Sequence, residues 1–337
     1  MKLTSVPIID IAPFRSGSMA ERREVAAAVD AACREIGFLV IAGHGVPDSL
    51  ISETESVSRQ FFDVPLAEKM KVKRPAPDVT RGYIPVLAES VGRSRGEAAP
   101  GDINESFMIG PIDPPSTSYF TGPSAGRHFA ANLWPAAPAA LRPVWSAYYR
   151  VMAALAEEIM RIFAAALDLP DSDFFADKID RHISRLRVRN YPAQREKAAP
   201  GQLRAGAHTD YGSLTILKTE DRPGGLQVIG PCGAWLDVPI VAGTFIVNIG
   251  DLMARWTNDR WVSTLHRVVN PPEDQAMASR RQSLVFFHNP NYDALIECLP
   301  TCRAPGEPAK YPPVTSGEHL RQQFMRTQNA LAPAYEG

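Results

Sequence analysis

The sequence is poor in cysteine: Cys33, Cys232, Cys298 and Cys302 are the four in 337 residues. Only the last two are neighbours, as a single C-x3-C, and no second pair or histidine stands at zinc-finger spacing. A disulfide framework is not expected, and reduced thiols fit a cytoplasmic protein. Long apolar runs are also missing. Nothing approaches the roughly 18 to 20 residues that a bilayer-spanning helix needs. The opening MKLTSVPIIDI meets Asp10 before a signal-peptide core develops, so neither a secretory signal nor a transit peptide is expected. Excess positive charge is the third absence, with 36 Lys+Arg against 37 Asp+Glu and a net charge of −1. A general nucleic-acid binder needs surplus cations to displace counterions, and that class is disfavoured. No G-x-G-x-x-G or Walker sequence occurs, so no phosphate cradle is predicted. What remains is a folded chain whose partner is a small molecule. Its oligomeric state stays open, with a monomer slightly favoured.

Two periods divide the chain. From Arg22 to Ile36, apolar residues recur at helical spacing (Val25, Val29, Ala32, Cys33, Ile36), and Gly37 ends the run. VPIIDIAP and FLVIAGHGVP predict short strands, and Ser49 to Phe62 predicts a second amphipathic helix. Trp145 to Leu169 is the longest helical segment, with Met152, Leu155, Ile159, Ile162 and Phe163 as its apolar stripe. The stretches 77–101 and 109–139 are rich in Pro, Gly and Ser and predict long ordered loops or a lid. After Asp180 the period becomes two. RLRVRNY, SLTIL, LQVIG, TFIVNIGD, HRVVN and QSLVFFHN favour strands, and turn residues separate them. Seven or eight short strands without crossover helices predict an antiparallel sandwich or jelly roll. The expected layout is an N-terminal helical and β region at 1–110, and a loop and long helix at 111–179. A β core at 180–300 and a C-terminal helical segment at 301–337 follow. The fold class is a mainly β core with flanking helices.

The chemistry begins at His208-Thr209-Asp210. In an extended segment residues i and i+2 face the same way, so His208 and Asp210 can grip one ion. His266 opens HRVVN, and a neighbouring antiparallel strand can supply it as a third ligand. Two neutral imidazoles and one carboxylate on one face leave three octahedral positions open, the facial triad of non-haem Fe(II) oxygenases. Alone, an H-x-D triplet is more often a surface coincidence or a core histidine. Spacing by itself also admits Cys302 or His288 as zinc partners.

Corroboration comes from Arg281, Ser283, Val285 and Phe287, which alternate on one strand face downstream of His266. An unpaired arginine among apolar residues is expensive to bury, whereas Arg plus Ser suits a carboxylate clamp. Arg185, Arg187, Arg189 and Tyr191 alternate in the same way, with Leu186 and Val188 opposite. A solvated positive face is the plain reading of those three arginines. Tyr191, just before Pro192, is expected to turn inward.

At these residues the sequence resembles a known family. HTDYGSLTIL, STLHRVVNPP and RQSLVFF look like the H-x-D…H and R-x-S motifs of the isopenicillin N synthase-like, 2-oxoglutarate-dependent Fe(II) oxygenases. VPIIDI, EIGFLVIAGHGVP, FFDVPLAEKMKV, RGYIPV and NESFMIG resemble the N-terminal signatures of that group, so the likeness spans about 6–326. The motifs are closest to thymine-7-hydroxylase-like members. The resemblance implies a double-stranded β-helix and an oxidoreductase that uses Fe(II), 2-oxoglutarate and O2. It would oxidise a small polar molecule, most simply by hydroxylation, with release of succinate and CO2. Carried over, His208, Asp210 and His266 match the iron ligands, and Arg281 and Ser283 match the holders of the distal carboxylate of 2-oxoglutarate. Tyr191 matches a tyrosine that reaches the same carboxylate. Arg187, Arg189, Tyr211 and Phe287 match positions that line the substrate.

Three other readings stay open at this point. An isopenicillin N synthase-type oxidase would place a substrate carboxylate in the clamp and dispense with 2-oxoglutarate. A non-enzymatic metal-binding jelly roll would lack the clamp strand. A zinc hydrolase would need a His/Glu acid-base pair near the ligands, which the sequence does not offer. If Arg187 and Arg189 face inward, buried positive charge favours a substrate with a carboxylate or a carbonyl-rich ring, with Phe287 and Tyr211 stacking on its planar part. A neutral thymine-like base is the competing substrate, and a pairing of Arg187 with an acidic lid residue such as Glu105 is a third possibility. His44, in a glycine turn, and Trp256, after an apolar run, are expected to be structural.

Overall fold

After Asp180 most elements are strands in the computed structural model, which describes residues 4–76, 78–95, 100–304 and 306–329. Fourteen strands are present among them: β1 (Ile8–Asp10), β2 (Phe38–Ala42), β3 (Gly82–Ile84), β4 (Glu105–Ile109), β5 (Arg185–Tyr191), β6 (Ala205–His208) and β7 (Leu214–Thr219), then β8 (Leu226–Ile229), β9 (Trp235–Asp237), β10 (Phe245–Ile249), β11 (His266–Val268), β12 (Arg281–His288), β13 (Leu295–Ile296) and β14 (Val314–Thr315). Eight form one sheet in the order β1-β2-β10-β7-β12-β5-β4-β3, and four form a second, β6-β11-β8-β9. Only β1 with β2 pairs in parallel among these ladders; the rest are antiparallel.

Alternation along each strand decides which layer a side chain enters. On one face of the large sheet, Leu186, Val188, Leu214, Ile216, Leu284 and Phe286 pack against the helices. On the other face, Phe38, Val40, Tyr191 and Ile246 meet Ala205, Leu226, Val228 and Val268 of the small sheet. The result is a double-stranded β-helix whose mouth lies between the sheets. Helix Leu141–Ala166 backs the large sheet, and its expected stripe of Met152, Leu155, Ile159, Ile162 and Phe163 is buried throughout. At about 1.5 to 3 kcal/mol for each fully buried side chain of this size, that stripe anchors the helix. Helix Met19–Glu35 starts with a reciprocal box in which Ser18 and Glu21 satisfy each other's backbone N–H groups. Helix Asp48–Asp63 and the C-terminal helix Ser316–Asn329 also lie where the sequence predicts helices.

The N-terminal half is less purely helical than its periodicity suggests. β3 and β4 extend the large sheet beside β5, inside or beside stretches expected to be loops. β4 is buried at all five positions, so it carries no polar alternation to mark it as a strand. β6 and β9, at four and three residues, are similarly too short to show a period. His44 and Trp256 are structural, as expected. His44 bridges Gly243 O and the Val46 amide, and Trp256 is 1% exposed within the core.

Candidate active site

β6 and β11 pair antiparallel with His266 directly opposite His208. Asp210 follows two residues after the strand end, so three ligating atoms converge within 4.8 Å of one another. Asp210 Oδ1 lies 3.9 Å from His208 Nε2 and 3.8 Å from His266 Nε2. Each imidazole is oriented from behind. His208 Nδ1 is 2.7 Å from Gly206 O and His266 Nδ1 is 3.0 Å from Thr264 O. A carbonyl only accepts, so each Nδ1 carries the proton and each Nε2 lone pair faces its partners. Asp210 is fixed the same way: its Oδ2 accepts from Thr215 Oγ1 at 2.6 Å and Asn248 Nδ2 at 2.8 Å, leaving Oδ1 for the centre. Burial and the adjacent His266 hold His208 well below the usual imidazole range. Burial pushes the Asp210 carboxyl up, but His266, His208 and the two hydrogen bonds outweigh it and hold the group ionised. A cluster of neutral imidazoles around one carboxylate, all aimed inward, is the donor set of a divalent-cation site. Neither Cys302 nor His288 joins it. Cys302 lies in the turn Pro300–Cys302, and His288 Nδ1 is bonded to Ser213 Oγ at 2.7 Å.

β12 lies against β5 in a register that pairs Arg281 with Tyr191, Ser283 with Arg189, Val285 with Arg187 and Phe287 with Arg185. Both alternating sets face cavities, and the solvated-face reading of the arginines fails. Arg185, Arg187 and Arg189 are all buried. Arg281, Ser283 and Tyr191 line the same small cavity as His208, Asp210 and His266. Arg281 is 1% exposed, and its Nε and Nη1 have no partner among the described residues. Burial lowers its pKa, and its guanidinium lies 4.8 Å over the Tyr191 ring. A guanidinium with two unmatched nitrogens at this depth fits a ligand carboxylate. Ser283 Oγ is 3.0 Å from Thr219 Oγ1. Arg204 also lies 5.9 Å from the Tyr191 ring and donates to Pro192 O, Pro223 O and Ser279 Oγ.

A second cavity opens over the triad, walled by Arg185, Arg187, Arg189, Tyr211 and Phe287. Here one expectation is corrected. The carboxylate beside Arg187 belongs to Glu89, not Glu105. Glu105 stands opposite Asn190 on β5, and that parity turns it to the far face, where it accepts from Lys69 Nζ at 2.8 Å and from Tyr83. Ser106, one residue on, faces the cavity and accepts from Arg187 Nε at 3.0 Å. Burial pushes the Glu89 carboxyl up, but Arg187, Arg189 and Arg74 together bring it down to about 2. Arg189 Nη1 donates to Asn104 Oδ1 at 3.2 Å. Glu89, Ser106 and Phe324 escape the sequence reading. Glu89 sits in an aperiodic loop, and Phe324 reads as one more apolar helix residue. Thr215 and Asn248 were detectable, as polar residues inside the apolar runs SLTIL and TFIVNIGD.

Two family models match, described as non-haem dioxygenase in morphine synthesis N-terminal (residues 6–137) and 2OG-Fe(II) oxygenase superfamily (residues 182–290). The chain is 34% identical to the 2-oxoglutarate-Fe(II) type oxidoreductase hxnY of Emericella nidulans, covering 100% of this chain and 94% of that protein. The chain belongs to the 2OG-Fe(II) oxygenase superfamily. It is likewise 34% identical to homoarginine-6-hydroxylase 2-ODD-233 of Oryza sativa subsp. japonica, over 95% and 97% of the two chains. The full-length thymine-7-hydroxylase of Neurospora crassa, solved with alpha-KG and thymine, superposes with a TM-score of 0.83 at 33% identity, covering 96% of this chain and 97% of that one. As a 2OG-Fe(II) oxygenase, the protein is an oxidoreductase that uses iron, 2-oxoglutarate and O2. That assignment displaces the zinc-hydrolase and non-enzymatic readings. No described helix is long and apolar enough to cross a membrane.

Proposed function

We propose that the protein hydroxylates a small polar organic molecule, with His208, Asp210 and His266 holding the iron and Arg281 and Ser283 holding 2-oxoglutarate. The observation that carries this reading is one cavity lined by both a three-ligand cluster and a buried guanidinium with two unmatched nitrogens. When bound, the ferrous ion and 2-oxoglutarate supply the oxidation: one O2 atom goes to the substrate as hydroxyl and the other to succinate, with loss of CO2.

The chain's own contribution is placement. Gly206 O and Thr264 O fix the imidazole tautomers, and Thr215 and Asn248 free one Asp210 oxygen for the metal. Arg281 gives fork donors to the distal carboxylate, Ser283 a hydroxyl, and Tyr191 a ring against the guanidinium. Phe287 and Tyr211 offer flat apolar surface for the substrate, while Arg187, neutralised by Glu89, and Arg189, held by Asn104, shape its polar wall. Four free thiols fit a reducing compartment, and we assign the enzyme to the cytoplasm. Oxygen uptake with and without 2-oxoglutarate, together with iron content, tests the reading. Uptake that ignores 2-oxoglutarate would favour the oxidase alternative and sink this one.

A further inference from the structure

Of the three arginines that alternate along β5, two have carboxylates near them among the described residues and one does not. Arg187 pairs with Glu89, and Arg189 lies in the fields of Glu89 and Asp102. Arg185 is 8% exposed, and its Nε is buried without a partner. It makes no hydrogen bond or ion pair among the described residues, and its close neighbour is the Phe324 ring at 5.2 Å. Burial, with Arg81 and Arg187, lowers its pKa to about 9, so the charges that bear on it most have its own sign. A guanidinium this deep without a counter-ion is destabilising, and such groups concentrate where a ligand completes them.

Two cavities meet at this side chain. One is the substrate cavity over the triad; the other is lined by His128, Tyr292, Gly317 and Leu320. The acidic side chains of the second cavity are already engaged. Asp78 accepts from Arg127 at 2.6 Å, and Glu318 accepts from Arg321 at 2.7 Å and Gln322 at 2.8 Å. Neither neutralises Arg185. Tyr211 and Phe324 meet edge to face, with ring centroids 5.8 Å apart, close to the same guanidinium.

We infer that Arg185 is the anchor for a carboxylate on the primary substrate, which makes the substrate class a small monocarboxylic acid. Its planar or apolar body would lie against Phe287, Tyr211 and Phe324, between Arg185 and the metal ligands. The inference rests on the oxygenase site proposed above and narrows what that site accepts. It also moves the anion-recognition role from Arg187 and Arg189, whose charges the protein itself answers, to their neighbour two or four positions upstream.

Anaerobic titration calorimetry on the full chain with Fe(II) and saturating 2-oxoglutarate tests it. The probes are benzoate and benzamide, and cyclohexanecarboxylate with its amide. At least one acid is expected to bind tenfold or more tightly than its own amide. Arg185→Gln should abolish that preference, Arg185→Lys should keep part of it, and 2-oxoglutarate affinity should stay within twofold in both, which also reports an intact fold. Acids binding no better than amides, or a preference that survives in Arg185→Gln, overturns the inference. If Arg185→Gln loses 2-oxoglutarate affinity equally, the arginine serves the co-substrate and the inference fails. A wild type that does not bind 2-oxoglutarate at all overturns the site itself, and this inference with it.

Discussion

Arg281 and Ser283 occupy the same strand face, yet they carry unequal weight. Arg281 is buried with two nitrogens unmatched, whereas Ser283 already has Thr219 at 3.0 Å. Arg281→Leu removes a charge-assisted fork and leaves the bound carboxylate without a partner, a loss of roughly 2 to 5 kcal/mol. The KM for 2-oxoglutarate should therefore rise by at least about 30-fold, since roughly 2 kcal/mol is about that factor. Ser283→Ala removes one neutral hydroxyl, and about 1 kcal/mol, or roughly fivefold in KM, is expected. Steady-state kinetics at varied 2-oxoglutarate checks both. Equal effects, or an Arg281→Leu enzyme with wild-type KM, would place the clamp elsewhere.

At the scale of elements, the approach of β6 to the turn Val91–Arg95 ties metal and substrate together. A Cβ on Gly206 would stand 2.9 Å from the Gly92 backbone, so no side-chain adjustment relieves it. Gly206→Ala should cost about 1 to 3 kcal/mol as overpacking and push back a turn whose Val91 and Arg93 line the substrate cavity. Gly225→Ala is the matched control, because nothing lies within 4 Å of its added Cβ. Thermal melts should show a drop for the first and none for the second, and equal melts would contradict the contact. Alternation exposed β5 and β12 and put Arg281 with Ser283, and Arg187 with Arg189, on shared strand faces, because period two is a local property of the chain; which face lines the cavity is a matter of tertiary packing. Helical spacing likewise exposed the long helix, read as Trp145 to Leu169 and observed at Leu141–Ala166. β4 stayed hidden because burial on both faces erases alternation. The pairing of Arg187 with Glu89 stayed hidden because a loop residue's position follows from tertiary packing, not from any period. That Arg185 has no counter-ion among the described residues is a negative fact about many residues at once, and only coordinates display it.

Across the whole molecule, buried histidines predict an acid sensitivity independent of catalysis. Burial lowers His182 to about 4, and burial with the neighbouring His182 lowers His288 to about 3. Both are neutral in the native state at pH values where the unfolded chain, titrating near about 6.5, takes up protons. Protonation thus favours unfolding, and stability falls as pH drops from about 6.5 toward 4, by about 1 kcal/mol per histidine near pH 5.5. Glu89 acts lower: its carboxylate stabilises the fold above about 4.5, and that contribution is lost as pH falls toward 2. Melts of metal-free protein at pH 7.5 and 5.5 should differ by several degrees, with the acid sample lower; superimposable curves would refute the neutral-histidine account.

The triad and the clamp together should hold one iron and one 2-oxoglutarate as a unit. Anaerobic calorimetric titration of 2-oxoglutarate into the wild type, with and without Fe(II), and into Asp210→Ala with Fe(II), tests it most directly. One equivalent should bind to the iron-loaded wild type, with affinity falling at least tenfold when iron is withheld or Asp210 is replaced. Equal affinity in all three would contradict the account, because 2-oxoglutarate would then bind away from the metal ligands.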